Sequence, residues 1–529
     1  MAYKLSDLDK KNLAAFEKDH SRRSLVGISL VVGKIRGLSN FRLQLSYPLT
    51  AIAGRNGSGK STVLAMAACA YHADPKGWRL PGRALPYYRF SDFFVQTQGE
   101  VPVEGVSIKY TFRSDNWRIS EEHPEGKGLG DQYRHKSSGG KWNDYDTRMR
   151  RQVAFFGIDR VVPPSEKSVL KNQKNYFSAA SANKSSIEDA TRKSVGRVLG
   201  IAYEDFELRG AGAHKLAHVK RKGYQYSGFN MGAGEQALFG LFWAVHSAGK
   251  STLFVIDEIE LGLHEAAQRM LLNELKNISF SAGHQFIFTT HSPTVLESLP
   301  PEGRFYLDGS ANGTQITEGI SPAFAAGRMS ERASTELVLY VEDASARQLL
   351  LSAFNSELRR RVQLIEVGSN SAVVSHANSR FIDRAHSSKM SLFVMDGDQR
   401  SALTSHRTAF LKRVDPKHKQ AAAEWIDARI AFLPSDMAPE RFVASLIRDH
   451  HIDAFRVAFG IEREDEAHEI LDKALVRGGH SEIHWISEDL CLPPDQVWQG
   501  MCQIVANELP SVFEEIIVKV RNLLKDGAP

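Results

Sequence analysis

The chain has 529 residues, a net charge of +5, 42% hydrophobic residues and 24% charged residues. That balance suits a globular protein of two or three domains with real cores, and the mild basicity fits a nucleic-acid partner and a solvated surface equally well. No apolar run is long enough to cross a bilayer, the opening MAYKLSDLDKKN lacks the apolar core of a signal peptide, and the three cysteines (Cys69, Cys491, Cys502) match no zinc spacing, so membrane embedding and export are not expected and a reducing cytoplasm is.

Residues 24–120 alternate short β-rich runs around the stretch AIAGRNGSGKSTVLAMAA. Gly54, Gly59, Lys60 and Ser61 satisfy the pattern G-x-x-x-x-G-K-[ST], with Asn56, Gly57 and Thr62 completing the loop. The residues before it suit a buried strand and those after it a helix. Glycines let the backbone turn tightly and aim N–H groups at phosphate oxygens, and the helix N-terminus adds partial positive charge. Lys60 is expected on the β- and γ-phosphates and Ser61 on Mg²⁺. A chance glycine-rich turn is the competing reading, and the strand-and-helix context weighs against it.

Residues 121–150 are polar and glycine-rich and read as an insertion or mobile loop. QVAFFGIDRVVPP reads as a buried strand stopped by prolines, residues 185–209 as helical, KLAHVKRKGYQYSGF as a hairpin and GEQALFGLFWAVH as a helix with a broad apolar face. STLFVIDEIE is a buried strand, HEAAQRMLLNELKNI a helix and HQFIFTTHSP another buried strand. Residues 320–335 read as a linker. Beyond it, ELVLYVEDASARQLLLSAF is strand, turn and helix, RVQLIEVGS a strand, SLFVMDGD a strand ending in acids, and residues 440–529 are mostly helical. This alternation predicts an α/β protein with parallel sheets in both halves, divided as 1–325, 335–445 and 446–529.

LFVIDE delivers two carboxylates to the C-terminal edge of its strand, where ligands bind in such sheets. Asp257 is expected to hold Mg²⁺ and Glu258 to polarise an attacking water; solvated acids capping a strand are the alternative. The phosphate loop, MGAGE, LFVIDE and FTTHS occur in that order. This set resembles the ATP-binding-cassette architecture, in the branch shared with chromosome-maintenance and break-repair ATPases. The resemblance implies ATP as cofactor and a head-to-tail dimer in which Met231–Glu235, with Gly232, Gly234 and Glu235, closes on the γ-phosphate from the opposite subunit. His291 resembles the switch histidine, and Gln96 or Gln98 the glutamine of the metal-sensing loop. EIELGLHE resembles the loop that crosses the dimer interface. The family carries serine where this chain has Gly232, so one hydroxyl donor is lost and slow hydrolysis is expected.

In the C-terminal half, Glu342 ends one apolar strand, and Asp396 and Asp398 end another. Acids spaced by one residue on a strand project to one side, and close carboxylates need a divalent cation between them. This order is similar to the Toprim domain of topoisomerases, primases and nucleases. An ABC-type ATPase ahead of a Toprim domain is the arrangement of the overcoming-lysogenization-defect (OLD) nucleases, a group that includes the ATPase–nuclease subunit of Gabija systems and effectors attached to some retrons. The resemblance covers about residues 24–300 and 335–445. It implies a Mg²⁺-dependent endonuclease (Mn²⁺ as alternative) acting on nucleic acid, with DNA expected, inside an anti-phage defence system, as a homodimer or higher oligomer. A partner protein or a retron RNA–DNA is left open. Glu440 takes the position of an additional acid that would hold a second ion, with Asp436 as the substitute. In some members a further acid stands at the position of Ala346, so Asp343 or a single metal are the alternatives here. Lys473, Arg477, Lys519 and Lys525 are the choices for a basic residue near the C-terminus, and His480 and His484 for proton transfer or metal binding, against a structural role. Four basic clusters, RHKSSGGK, RMRRQ, HKLAHVKRK and ELRRRVQ, are each a solvated surface or part of a nucleic-acid footprint, with Lys215–Lys222 the favoured contact. A DNA-repair clamp without cleavage and an RNA-directed (tRNA) nuclease are the competing functions.

Overall fold

A computed structural model describes residues 3–100, 103–137, 142, 147–178, 186–211, 214–310, 313–330, 335–382, 390–477 and 481–526. The chain divides into two compact units, Tyr3–Arg332 and Ala333–Pro529.

The strands of the first unit are β1 (Ser24–Ile35), β2 (Leu38–Gln44), β3 (Leu49–Gly54), β4 (Val106–Ser114), β5 (Gly128–Lys136), β6 (Val153–Phe156), β7 (Asp205–Ala211), β8 (His214–Arg221), β9 (Tyr224–Ser227), β10 (Leu253–Ile256), β11 (Gln285–Thr289), β12 (Arg304–Ser310) and β13 (Gly313–Glu318). The central sheet has the order β13-β12-β3-β11-β10-β6 and is parallel except for the β12–β13 pair. Strands β3, β10 and β11 are buried at every residue, which explains their unbroken apolar runs: helices cover both faces of a parallel sheet. Because these strands run the same way, the phosphate loop, the LFVIDE acids and the TTHS segment emerge at one edge.

An antiparallel sheet, β2-β1-β4-β5, flanks this core. Its last strand corrects the expectation of a loop over 121–150. Residues 128–136 pair with β4 from Ser114↔Gly128 to Val106↔Lys136. Its open face carries Leu129 and Tyr133 beside Asp131 and His135, and its inward positions are Gly130 and a buried arginine, Arg134, against the Tyr110 ring, so no apolar alternation marks its buried side. Residues 185–209 divide into a helix, Ser186–Leu199, and β7, and the KLAHVKRKGYQYSGF hairpin is β8–β9. Within the expected linker 320–335, Pro322–Met329 forms a helix capped by Ser321, and 331–334 lie outside the described residues.

The second unit is built on β14 (Leu337–Val341), β15 (Val362–Glu366), β16 (Met390–Met395) and β17 (Ile430–Phe432), all parallel in the order β15-β14-β16-β17. Alternate residues feed two cores. Leu337, Leu339, Leu392 and Val394 meet Val443, Met501 and Phe513 from the C-terminal helices. Val338, Tyr340, Phe393 and Met395 meet Val373, Phe381 and Phe410 on the other face. Residues beyond 446 are helical and share the first of these cores, so the expected extension packs as one body with the sheet. The chain leaves β14 for β15 on one side and returns to β16 on the other. The crevice past the ends of β14 and β16 is therefore a topological switch point, the usual place for a ligand in an open α/β sheet.

Candidate functional site

The phosphate loop runs from β3 into the helix Lys60–Ala68. Gly54, Gly57 and Gly59 all have positive φ, and a Cβ on Gly59 would stand 2.3 Å from Leu38. The glycine pattern is thus a steric requirement of the loop. Lys60 is buried and donates to the carbonyls of Gly54 (2.8 Å) and Arg55 (2.9 Å). Burial lowers its pKa, against the opposing charges of Asp257, Glu258 and Glu260. Ser61 Oγ donates to Asp257 Oδ2 at 3.0 Å, so the two residues expected to share Mg²⁺ already face each other. Asp257 and Glu258 lie just past the end of β10. Thr289, in β11, donates its hydroxyl to Asp257 Oδ1 (2.5 Å) and accepts the main-chain N–H of Glu258 (2.7 Å). Glu258 is held at φ +48°, a conformation that costs a non-glycine residue of order 1 kcal/mol or more.

Three residues of this site escaped sequence reasoning. Thr289 is the first. Arg160, in the turn Ile158–Val161 after β6, is the second: its guanidinium donates to the carbonyls of Asp257 and Glu258, 2.5 Å each, and of Gly157 at 2.9 Å. Glu260 is the third. It accepts the main-chain N–H of His291 at 2.6 Å and keeps its other oxygen buried without a partner. An arginine in FFGIDR and a third acid in DEIE were the available signals, but neither has a meaning until β6, β10 and β11 are side by side.

Gly232 caps the helix Ala233–Ser247, and the space where its Cβ would stand is open. A Cβ on Gly234 would meet the carbonyl of Gly262 at 2.1 Å, so the MGAGE loop and the EIELGLHE loop touch through backbone within this unit. Glu235 accepts hydrogen bonds from Tyr203 (2.6 Å) and Tyr226 (2.7 Å), whose phenols are raised by burial and by that carboxylate. Gln96 and Gln98 lie in an exposed irregular segment after the helix Phe90–Phe93.

In the second unit, Glu342 follows β14 and Asp396 follows β16. The main-chain N–H of Asp396 donates to Glu342 Oε1 at 3.1 Å. The expectation that Asp396 and Asp398 share one face of a strand is corrected. Strand β16 ends at Met395, and the two acids sit in the turn that follows, Asp396 half-buried and Asp398 exposed. Asp396 Oδ1 is buried with no hydrogen-bond partner. Its carboxyl is pushed up to about 8, by burial first and then by Glu342, Asp343, Glu440 and Asp398; burial likewise raises Glu342. An unpartnered carboxylate oxygen among four other acids is what a divalent cation would neutralise, and the donor set is all oxygen, as Mg²⁺ prefers. Among the described residues, no three His, Cys, Asp or Glu side chains stand at mutual positions ready to hold a metal ion, so a bound ion would require the carboxylates to close in.

Gly397, between the two aspartates, has a steric role that the D-x-D spacing does not reveal. A Cβ there would stand 2.4 Å from Ser435 O and within 3.0 Å of the Pro434 and Met437 carbonyls. That contact lets the 434–437 loop lie on the turn and presents Glu440, in the first turn of the helix Pro439–His450, to Asp396. Asp436 instead faces Arg400 at 3.4 Å and is exposed. Asp343 caps the helix Ala344–Ala353 through the Ala346 N–H.

Of the basic choices, Lys519 donates to the carbonyls of Asp427 and Ile430 at the start of β17, the sheet edge opposite the acids. Lys473 pairs with Glu469, Arg477 stacks on Trp485 and Lys525 is exposed. Arg400, absent from that set, lies between Asp436 and Glu515 over the Phe432 ring. His484 pairs with Glu488 on a helix surface, and His480 lies outside the described residues. Two basic clusters are surface only in part, with Arg150 and Arg359 exposed. Arg148 and Arg151 of RMRRQ are buried, Arg148 donating to Cys69 O, and Arg151 to Ser251 O and Gln285. In ELRRRVQ, Arg361 is buried against Glu336. Part of RHKSSGGK lies outside the described residues, and HKLAHVKRK spans β8, where Lys220 pairs with Glu204.

The family described as "AAA domain, putative AbiEii toxin, Type IV TA system" matches residues 71–297, a span that begins after the phosphate loop and contains MGAGE, LFVIDE and FTTHS. The first unit is accordingly supported as a P-loop ATPase domain of the AAA/ABC type. Among solved structures, the chain is similar to the SMC head domain from Thermotoga maritima (14% identity, TM-score 0.33, covering 56% of this chain and 98% of that one). It is also similar to an Smc head domain bound to the C-terminal domain of ScpA, derived from Pyrococcus furiosus (13% identity, TM-score 0.36, 58% and 98%). No curated protein matches. Among the described residues, no helix is long and apolar enough to cross a membrane.

Proposed function

We propose that the chain is a nucleotide-gated, metal-dependent endonuclease of the OLD type, acting on DNA in bacterial anti-phage defence. The observation that carries this reading is the meeting of Glu342 and Asp396 at the switch point of the second sheet, with one buried carboxylate oxygen left unpartnered.

Glu342, Asp396 and Asp398 would hold Mg²⁺ or Mn²⁺, with Glu440 the acid available for a second ion. When bound, the ion orients a phosphodiester and stabilises charge on the oxygens being exchanged. Asp396 enters catalysis as the carboxylate, so its elevated pKa must fall before it can serve, and the other acids must be neutralised with it. Gly397 keeps the turn close enough to the 434–437 loop for Glu440 to take part. In the first unit, Lys60 and the loop amides would bind the β- and γ-phosphates, Ser61 and Asp257 would hold Mg²⁺, and Glu258 would orient the attacking water while Thr289 and Arg160 fix its backbone. Two heads would pair head to tail, each presenting Met231–Glu235 to the other's nucleotide, with Glu235 braced by Tyr203 and Tyr226.

The test is cleavage of supercoiled plasmid, linear duplex, single-stranded DNA and labelled tRNA by purified protein with Mg²⁺ or Mn²⁺, with and without ATP. Loss of plasmid cleavage in Asp398→Ala, with folding intact, supports the reading. Equal cleavage by wild type and Asp398→Ala removes it, and cleavage confined to tRNA replaces DNA with RNA as substrate.

A further inference from the structure

A cavity of about 790 Å³ opens in the first unit between the end of β6, the helix Ala233–Ser247 and the β7–β8 hairpin. Its volume lies in the range of small-ligand sites. No residue of the phosphate loop and neither of the Asp257–Glu258 carboxylates lines it. Basic groups outnumber acids on its walls: Arg83, Arg160, Lys167 and Lys215 against Asp159 and Glu166. Phe155, Leu170, Leu208 and Trp243 supply apolar surface. Two residues of the lining keep a buried polar atom without a hydrogen-bond partner, Arg83 at Nε and Gln236 at Oε1. Such atoms carry a desolvation cost that a ligand offering the complementary group removes.

Two walls lead directly to the ATP site. Arg160 spends Nη1 on the carbonyls of Gly157 and Asp257 and one Nη2 hydrogen on Glu258. An arginine has five N–H donors. The Nε–H and the second Nη2–H form the edge that grips an oxyanion bidentately, and no hydrogen bond to another described residue occupies it. The other wall is Gln236, the residue after Glu235, in the first turn of the helix that begins at the MGAGE loop.

We propose that this cavity binds a small anion with a planar apolar body, a mononucleotide being the simplest case, and that its occupancy changes ATP turnover through Arg160. An oxyanion on the free edge of the guanidinium competes with the carbonyls on the other edge. Those carbonyls hold the acid pair in place, with Glu258 at φ +48°. The output depends on the ATP-site reading above; the binding step does not.

The experiment is calorimetric titration of adenosine monophosphate into the full chain carrying Lys60→Ala, which disables the phosphate loop. Saturable binding is expected, weakened at least about tenfold when Lys167→Glu and Lys215→Glu reverse two cavity charges. Inorganic phosphate should bind more weakly than the mononucleotide, and Trp243→Ala should narrow that gap; this variant also serves if the charge reversal fails to fold. In the chain with an intact phosphate loop, saturating mononucleotide should change the ATPase kcat at least about twofold, and the charge-reversed variant should keep the basal rate and lose the response. Absence of binding, binding indifferent to charge reversal, phosphate binding as tightly as the mononucleotide, or binding with unchanged ATP turnover each overturns the proposal. A chain that binds the mononucleotide in the cavity but never hydrolyses ATP would instead sink the ATP-site reading and leave the binding step standing.

Discussion

The main-chain N–H of Asp396 donates to Glu342 Oε1 across 3.1 Å, joining residues 54 positions apart in the chain. The contact follows from the parallel pairing of β14 with β16, in which Leu339 stands opposite Leu392 and Tyr340 opposite Phe393. Each acid is carried just past the end of its strand, and the two ends meet where the connections diverge. The result is a carboxylate pair in a half-buried crevice, with Asp343, Glu440 and Asp398 close enough to raise Asp396 further.

Asp396→Asn should abolish metal-dependent cleavage and stabilise the metal-free protein. The sign follows from the raised pKa. An acid pushed from 3.8 to about 8 binds more protons folded than unfolded, so it lowers stability as pH rises through that window. Asparagine is neutral without taking up that proton, so the variant should be more stable by a few kcal/mol at neutral pH, visible as a higher Tm by scanning calorimetry without divalent ions. Added Mg²⁺ should raise the Tm of wild type and not of the variant. A variant less stable than wild type would contradict the crowding of acids.

Gly397→Ala and Asp398→Asn should separate packing from chemistry. The alanine Cβ meets Ser435 O at 2.4 Å, so the loop must shift, at about 1–3 kcal/mol, and cleavage should fall with it. Asp398 is exposed, so its change should leave the melting temperature within about 1 °C while removing cleavage. Chemical denaturation alongside plasmid cleavage checks both.

Gly232→Ser and Gly234→Ala, two residues apart, should have opposite outcomes. Gly232 has φ −62° and open space around it, so serine should fold normally and restore a hydroxyl toward a nucleotide held by the other head. A gain of about tenfold in ATPase kcat is expected from one charge-assisted hydrogen bond. A Cβ on Gly234 would stand 2.1 Å from Gly262 O, so the alanine variant should lose stability and ATPase together. Steady-state ATPase and melting curves of both variants decide this.

His284 should make the first unit acid-sensitive. Its Nδ1 accepts the Thr252 N–H at 3.1 Å and its Nε2 faces Val245 O at 3.2 Å, so the neutral ring is fully used. Burial lowers its pKa from the ordinary 6.5 to about 4. The unfolded chain therefore binds an extra proton below pH 6.5, and stability falls as pH drops from there toward 4. The loss should reach about 2 kcal/mol near pH 5, and His284→Leu should flatten that slope whatever it does to the baseline. Urea denaturation over that pH range is the measurement.

Asp9→Ala should cost about 3–5 kcal/mol by leaving Lys276 buried and unpaired. The two groups are 2.8 Å apart, Asp9 fully buried, with Tyr3, Tyr47 and Ser6 also donating to the carboxylate. Replacing both partners, as Asp9→Leu with Lys276→Met, should recover much of the loss. A double variant no better than the single would show that the pair itself, rather than the stranded charge, sets the cost.

Much of the architecture was legible because its signals are local. Strands buried on both faces read as unbroken apolar runs at 253–256 and 285–289, and a glycine-rich loop has a fixed spacing because phosphate geometry demands it. Strand β5 was not legible, since its inward positions are Gly130 and the buried Arg134 while Leu129 and Tyr133 face out, so no apolar period marks its buried side. Charge was misleading in the same way. RMRRQ has the composition of a surface patch, yet Arg148 and Arg151 are buried because backbone carbonyls and Gln285 lie where their guanidiniums can reach them.

The sequence by itself determined the order of the motifs, the parallel α/β character of both halves and the short set of acids and glycines that bear chemistry, because each is written in neighbouring residues. Only the tertiary structure decided that Glu342 meets Asp396, that the glycine between the aspartates is sterically required, and that Arg160 and Thr289 hold the backbone beside Glu258. Those relations are approaches between residues 31 to 98 positions apart, and their distances are set by strand register and core packing rather than by any local pattern.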